Sequence, residues 1–253
     1  MTINITDLDG QAHSIDLDHI GNQALHIDCM ELMRALPDKC VDLIITSPPY
    51  NLGATHHTGG NRFKAYSTYS DDMPESEYMS WQTDVLNECY RILSDEGSMF
   101  YNHKNRIKDG VSITPYEWIL KSEFLIKQEI VWFNRSQNFD KIRFYPMTER
   151  VYWLAKNAKT KLENVINHHD LFDWRPEGTA EEHKRAFPMS MVTDIIACFP
   201  KANLVFDPYL GSGTARVGAY EFSKSFLGCE IDKDYYEQGC QRYESYAAQC
   251  KLF

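Results

Sequence analysis

Long apolar runs are missing. No stretch of the 253 residues approaches the roughly 18 consecutive apolar residues that a membrane-crossing helix needs, so no membrane span is expected. Paired cysteines are missing too. The seven cysteines (Cys29, Cys40, Cys89, Cys198, Cys229, Cys240, Cys250) are odd in number, scattered, and form no C-x-x-C pair. That pattern fits reduced thiols and argues against a disulfide framework or a metal site. The N-terminal MTINITDLDGQAHS has neither a basic start nor an apolar centre, so no signal peptide is expected and the cytoplasm is the expected compartment. Repeats and low-complexity tracts are absent. So is a P-C-x-x-C zinc signature, which removes base deaminases from consideration.

An overall positive charge is also lacking. The formal net charge is −10, which by itself speaks against a polyanionic partner. The distribution along the chain points partly the other way. Residues 103–161 carry twelve basic side chains against six acidic ones, a local +6, and leave −16 on the rest of the chain. An asymmetry of this size points to an anionic ligand on one side, with ordinary solvated faces as the plain alternative.

At 43% hydrophobic residues, the chain can bury one sizeable core, and one domain with loop insertions is the natural expectation. Short apolar runs alternate with helix-like stretches, which predicts an α/β fold with a mostly parallel sheet. Strands are predicted at 24–28, 41–46, 97–103, 127–134, 150–156, 202–207 and 225–232, the 127–134 and 150–156 runs forming a pair. Helices are predicted at 29–37, 75–93, 115–123, 188–199 and 232–250, with another opening after Gly213. In the 75–93 helix, Tyr78, Trp81, Val85, Leu86, Cys89 and Ile92 recur at helical spacing and read as core. Trp132 and Trp153 read as core as well. Residues 54–74 have no periodicity, and a loop of that length in a compact domain is usually functional or disordered. Residues 157–186 are polar and irregular.

Two landmarks carry chemistry. The first is TSPPYNLG at 46–53, directly after the strand VDLII. Pro48 and Pro49 fix φ and remove two backbone donors, so the turn is stiff and presents carbonyls, with a hydroxyl at Ser47 and a ring at Tyr50. The second is FDPYLGSGT at 206–214, between a strand and a helix. Gly211 and Gly213 permit a tight turn and close approach, and the helix start offers free N–H groups. Glu230 ends the following strand, where a carboxylate suits the two hydroxyls of a ribose. The order predicts an adenosine-containing ligand. A dinucleotide fits less well, because the third glycine of G-x-G-x-x-G is misplaced. The cofactor strand must insert beside strands that precede it in sequence. Ser212 and Thr214 can also serve simply as helix caps, as can Asp28.

Together, SPPY at one strand end and DPYLGSGT far downstream resemble the S-adenosylmethionine-dependent amino-methyltransferases of DNA, in the motif order of their β group. HIDCMELMRALPDKCVDLIITSPPYN, SEYMSWQTDVLNECYRILSDEGSMFYNH and FLGCEIDKDYYEQG are similar to the family's blocks, so the likeness covers most of the chain. The resemblance implies a single Rossmann-like methyltransferase domain over 1–253, circularly permuted so that the catalytic motif precedes the cofactor loop, with loop insertions facing DNA. It implies a catalytic set of Ser47, Pro48, Pro49 and Tyr50. It implies an S-adenosylmethionine site of Asp28, Cys29, Asp207, Gly211, Ser212, Gly213, Thr214 and Glu230, Asp28 reading the adenine edge and Glu230 the ribose. HKRAFP (183–188) resembles the segment leading into that site, although Phe187 stands where the family often has lysine. No metal is implied.

An exocyclic amine is a poor nucleophile because its lone pair is delocalised into the ring. Acceptors such as Ser47 Oγ and the Pro48 carbonyl draw it toward tetrahedral geometry and stabilise the developing positive charge. The target base must leave the duplex, and Tyr50 offers it a face. In this family serine in the first motif position goes more often with cytosine, so N4 of cytosine is favoured over N6 of adenine. Only a short insertion, 157–186, remains for target recognition. Loops 54–74, with Arg62 and Lys64, and 134–147, with Arg135, Lys141 and Arg143, are therefore expected to carry much of the DNA contact. Expected partners are double-stranded DNA and, where the enzyme serves a restriction system, a separate cognate endonuclease, in a prokaryotic or phage setting; monomer and homodimer both stay open. Rival readings are an RNA or protein-amide methyltransferase and a DNA-binding module without catalysis.

Overall fold

The computed structural model describes residues 1–52, 71–135, 142–165, 169–175 and 187–250. Two short strands, β1 (Thr2–Thr6) and β2 (Ala12–Asp16), form an antiparallel hairpin. The main sheet then draws on β3 (Asn22–His26), β4 (Val41–Thr46), β5 (Leu93–His103), β8 (Leu125–Phe133), β9 (Thr148–Ala155), β10 (Leu171–Phe172), β11 (Leu204–Asp207) and β12 (Ser225–Glu230). A small ribbon of β6 (Arg106–Lys108) and β7 (Val111–Ile113) lies outside it. The helices are α1 (Cys29–Ala35), α2 (Glu75–Ile92), α3 (Tyr116–Ile119), α4 (Met189–Ala197), α5 (Thr214–Glu221) and α6 (Lys233–Cys250).

The main sheet runs in the order β10-β8-β9-β5-β4-β11-β12-β3. Every neighbouring pair is parallel except the two that involve β9. As expected from sequence, β11 inserts beside a strand that precedes it, β4, and β11 with β12 together fill the space between β4 and β3. Alternate side chains of the central strands supply two cores, as a sheet covered on both faces requires. Ile44, Met99, Tyr101, Phe206 and Leu227 face the layer of α1, α2 and α3. Leu43, Ile45, Phe100, Val205 and Phe226 face α4 and α5.

Local chemistry explains the helix limits. Asp28 caps α1, its Oδ1 accepting from the N–H groups of Met30 (2.9 Å) and Glu31 (3.2 Å). Arg91, in the last turn of α2, donates to the Met33 and Leu36 carbonyls at 2.6 and 2.9 Å, tying the end of α1 to α2. The predicted core stripe of α2 is buried at Tyr78, Val85, Leu86, Cys89 and Ile92, with Trp81 at its margin. Trp132 and Trp153 are buried as expected.

Several predicted boundaries differ. The 115–123 segment is helical only over Tyr116–Ile119, because turn-type bonds from Lys121 and Ser122 end it. β5 starts at Leu93 rather than 97. The SDEG stretch that follows the predicted 75–93 helix is absorbed into β5 as an irregularity where the register with β4 jumps from Val41–Leu93 to Leu43–Ser98. No helix among the described residues is long and apolar enough to cross a membrane.

Candidate active site

β4 and β11 lie side by side and parallel. After β4 the chain crosses through α2 on one face; after β11 it crosses through α5 on the other. Their carboxyl ends therefore flank a topological switch point, where an open α/β sheet leaves a crevice for ligands. The two sequence landmarks begin at these ends. A buried hydrogen bond from Thr46 Oγ1 to Asp207 Oδ1 (2.7 Å) ties them together. The Tyr209 N–H donates to the same oxygen at 3.0 Å, while Asp207 Oδ2 is buried with no partner among the described residues. Burial pushes the Asp207 carboxyl up to about 7, with Glu230 adding to the effect.

On the β11 side, Gly211 and Gly213 adopt positive φ of 50° and 76°, and Gly213 forms the cap position of α5. A Cβ at Gly213 would sit 3.0 Å from the Gly239 carbonyl oxygen of α6, so the loop closes on that helix only because both residues are glycine. At Gly211 a Cβ would meet nothing nearer than 3.8 Å, so that side of the loop is open to a ligand. The Glu230 carboxylate is buried against the loop. Oε2 accepts from the Gly211 N–H (2.9 Å) and Oε1 from the Asp232 N–H (3.0 Å). Burial raises its pKa. Arg242, from α6, donates to Thr214 Oγ1 at 2.8 Å and reaches Ser212 Oγ at 3.3 Å, orienting both hydroxyls. Cys29 is buried beside Asp28, and burial pushes its thiol up to about 12, so it is an inert packing group.

On the β4 side, Ser47, Pro48, Pro49 and Tyr50 follow the strand, and Pro48 is buried. The Tyr50 hydroxyl contacts Ser47 Oγ (2.8 Å) and donates to Glu149 Oε2 (3.0 Å). Asn102 Nδ2 donates to the Tyr50 oxygen (2.7 Å) and to Glu149 Oε2 (3.1 Å), and lies 3.4 Å from Ser47 Oγ. Asn102 Oδ1 is buried without a partner among the described residues. Glu149 Oε1 accepts from Asn134 Nδ2 at 3.0 Å. Burial, with the Glu149 carboxylate beside it, holds the Tyr50 phenol well above its ordinary pKa. The Tyr50 ring lies 4.4 Å from the His103 ring, centroid to centroid, with Lys104 Nζ 5.7 Å from its own centroid.

His103 is buried, which lowers its pKa to about 3, so it is neutral. Its Nδ1 faces the Lys104 carbonyl at 2.8 Å and must donate there. Nε2 is left as an acceptor, so the single proton of the Tyr78 hydroxyl is shared between Nε2 (2.8 Å) and the Pro49 carbonyl (2.7 Å). The turn is thereby braced from beneath by α2 and β5. Just beyond it the chain is closed by reciprocal bonds. Met73 N–H donates to Asn51 Oδ1 (2.6 Å), and Asn51 Nδ2 donates to the Met73 carbonyl (3.0 Å). Asn51 and Met73 are thereby tied at the mouth of the site; residues 53–70, with Arg62 and Lys64, lie outside the described residues.

The structure thus assembles Ser47–Tyr50 with Asp207 through Thr46, and Gly211–Thr214 with Glu230. Asp28 ends up at the carboxyl edge of the same sheet, after β3. Of the expected DNA contacts, Arg135 ion-pairs with Asp173 (Nε–Oδ1 2.8 Å), and Arg143 donates to the Gly110 carbonyl at the tip of the β6–β7 ribbon (3.1 Å). Both flank β8 and β9 at the edge where the site opens. Lys141 lies outside the described residues, as do residues 183–186 of HKRAFP, while Phe187 is buried in the core under α4. Sequence reading missed Asn102, His103, Glu149 and Arg242. Asn102 and His103 had a usable signal, polar residues closing an apolar strand, the same sign that marked Ser47. Glu149 and Arg242 had none, because they reach the site through strand and helix pairing remote in sequence.

Comparison with known proteins identifies the family. A family model described as DNA methylase matches residues 41–241, a span that includes both landmarks and Glu230. The chain is 26% identical over 252 residues to the Type II methyltransferase M.BglII of Bacillus subtilis, covering 85% of this chain and 66% of that protein. It is 24% identical over 262 residues to the DNA adenine methyltransferase YhdJ of Escherichia coli (strain K12), covering 88% and 84%. Among solved structures, the PvuII DNA methyltransferase (cytosine-N4-specific) superposes with a TM-score of 0.70 at 20% identity, over 90% of this chain and 91% of that one. The M1.HpyAVI–SAM complex gives 0.56 at 19% identity, over 87% and 98%.

Proposed function

The chain belongs to the DNA methylase family, and on that premise we propose that it transfers a methyl group from S-adenosylmethionine to the exocyclic amine of a base in double-stranded DNA. The observation that carries the reading is the buried Thr46–Asp207 bond, which sets an amine-accepting turn and a glycine loop end to end at the switch point. The residues present fit the cofactor: the open face at Gly211, the free N–H groups at the start of α5, and the acids Asp28 and Glu230 at the carboxyl ends of β3 and β12. When bound, the cofactor supplies an electrophilic methyl on a sulfonium.

The chain's own residues do the rest. Asp28 and Glu230 hold the adenosine end, and Gly211, Ser212, Gly213 and Thr214 hold the remainder against α5. Tyr50 gives a flipped base a face to stack on, a contribution of about 1–3 kcal/mol. Ser47 Oγ and the Pro48 carbonyl accept from the amine's N–H groups, aligning its lone pair for in-line attack. The braced, donor-free Pro–Pro turn keeps those acceptors in place without reorganisation.

N4 of cytosine is the favoured target, because the motif opens with a neutral serine rather than a carboxylate; N6 of adenine is the alternative. A cognate restriction endonuclease is the proposed partner, supported by the resemblance to Type II methyltransferases. The test offers tritiated S-adenosylmethionine with DNA, RNA or protein. Label in DNA alone is expected; label only in RNA or protein would replace the reading, and Ser47→Ala should remove the DNA signal.

A further inference from the structure

The SPPY turn contains no carboxylate, yet a methylated amine must lose a proton. We propose that Glu149, at the start of β9, is the proton acceptor of this site, reached from Ser47 through the Tyr50 hydroxyl. This rests on the methyltransferase reading above.

The hydrogen-bond directions leave little choice. Glu149 and the Tyr50 phenol are 3.0 Å apart, and only the phenol carries a proton to give, so Tyr50 donates to Glu149. Its oxygen then accepts from Asn102 Nδ2 (2.7 Å) and from the Ser47 hydroxyl (2.8 Å). Ser47 Oγ keeps its lone pairs for the incoming amine. The result is a directed chain, Ser47 to Tyr50 to Glu149, with Asn102 fixing the middle and Asn134 holding the far oxygen of the carboxylate at 3.0 Å. Two asparagines, one buried, are thus spent on holding one carboxylate and one phenol in register.

The step balances. As the N–C bond to the methyl forms and the sulfonium C–S bond breaks, the amine releases a proton to Ser47 Oγ. Ser47 passes its own proton to the Tyr50 oxygen, and Tyr50 passes its own to Glu149. The products are the neutral methylated base, the thioether and a protonated Glu149, which is half-buried and returns its proton to solvent. Tyr50 therefore has two separable roles. Its ring serves the base and its hydroxyl serves the proton. Glu149 acts through Tyr50 and is a positioning and relay residue rather than one that touches substrate.

The experiment compares Tyr50→Phe, Glu149→Gln and their combination in the full chain. Phenylalanine keeps the ring beside His103, and glutamine keeps the shape of Glu149 and one acceptor. Single-turnover methyl transfer to DNA should fall about 100-fold in each, and the combined variant should be no worse than about threefold below either. Dissociation constants for S-adenosylmethionine and DNA, and the thermal midpoint, should stay close to those of the unaltered chain; a purely structural role would move them. Transfer by Glu149→Gln within about threefold of the unaltered chain would overturn the relay while leaving the methyltransferase reading intact. Absence of DNA methylation by the unaltered chain would overturn the reading and the relay with it.

Discussion

Asp207 offers a quantitative test of how the junction is built, through the substitution Asp207→Asn. The side chain is fully buried; its Oδ1 accepts from Thr46 and Tyr209 while Oδ2 has no partner among the described residues. Burial raises the carboxyl from 3.8 to about 7. A carboxyl whose folded pKa lies above its unfolded value binds its proton more tightly in the fold, so ionisation works against folding. The penalty is negligible below about pH 3.8, grows as pH rises, and levels off above pH 7 at about 4 kcal/mol. Between pH 5 and pH 8 it changes by about 2.5 kcal/mol. The Asp207→Asn substitution abolishes the titration and keeps the Oδ1 acceptor. Urea unfolding of both proteins at pH 5 and pH 8 should show the variant gaining about 2.5 kcal/mol on the parent, or about 5–10 °C in thermal midpoint for a chain of this size. Parallel pH dependence would show that the carboxylate is not isolated at the base of the crevice.

Other substitutions probe neighbouring parts. Gly213→Ala combines a positive φ of 76° with a contact of 3.0 Å to the Gly239 carbonyl, and should cost about 1–3 kcal/mol in thermal unfolding and weaken S-adenosylmethionine binding by calorimetry. Arg106, buried over the Tyr78 ring, pairs with Glu75 at the start of α2; Arg106→Met should cost about 3 kcal/mol, the low end for a broken buried pair, because Lys108 remains 3.9 Å from that carboxylate. Reversing Arg135, Lys141 and Arg143 together should weaken DNA binding and lower the salt slope by about 0.9 for each phosphate no longer neutralised. Arg135 alone should contribute least, since Asp173 already offsets its charge.

What could be read from sequence follows from where the chemistry sits. Ser47–Tyr50 and Gly211–Thr214 are contiguous, and each follows an apolar strand, so local pattern sufficed to find them and their order predicted how β11 inserts. The α2 stripe was legible because helical period and burial coincide. The β1–β2 hairpin and the β6–β7 ribbon were not seen, since each strand has only three to five residues, and the alternation of TINIT is too short to stand out. Glu149 was invisible for a different reason. Its place beside Tyr50 is created by the antiparallel pairing of β9 with β5, which no local spacing encodes.

The most direct measurement is mass spectrometry of nucleosides from DNA incubated with the purified chain and S-adenosylmethionine carrying a deuterated methyl group. A deuterated methyl is expected on an exocyclic amine, on N4 of cytosine in the favoured reading and on N6 of adenine in the alternative. Label on cytosine C5, or none in any nucleoside, would contradict both readings.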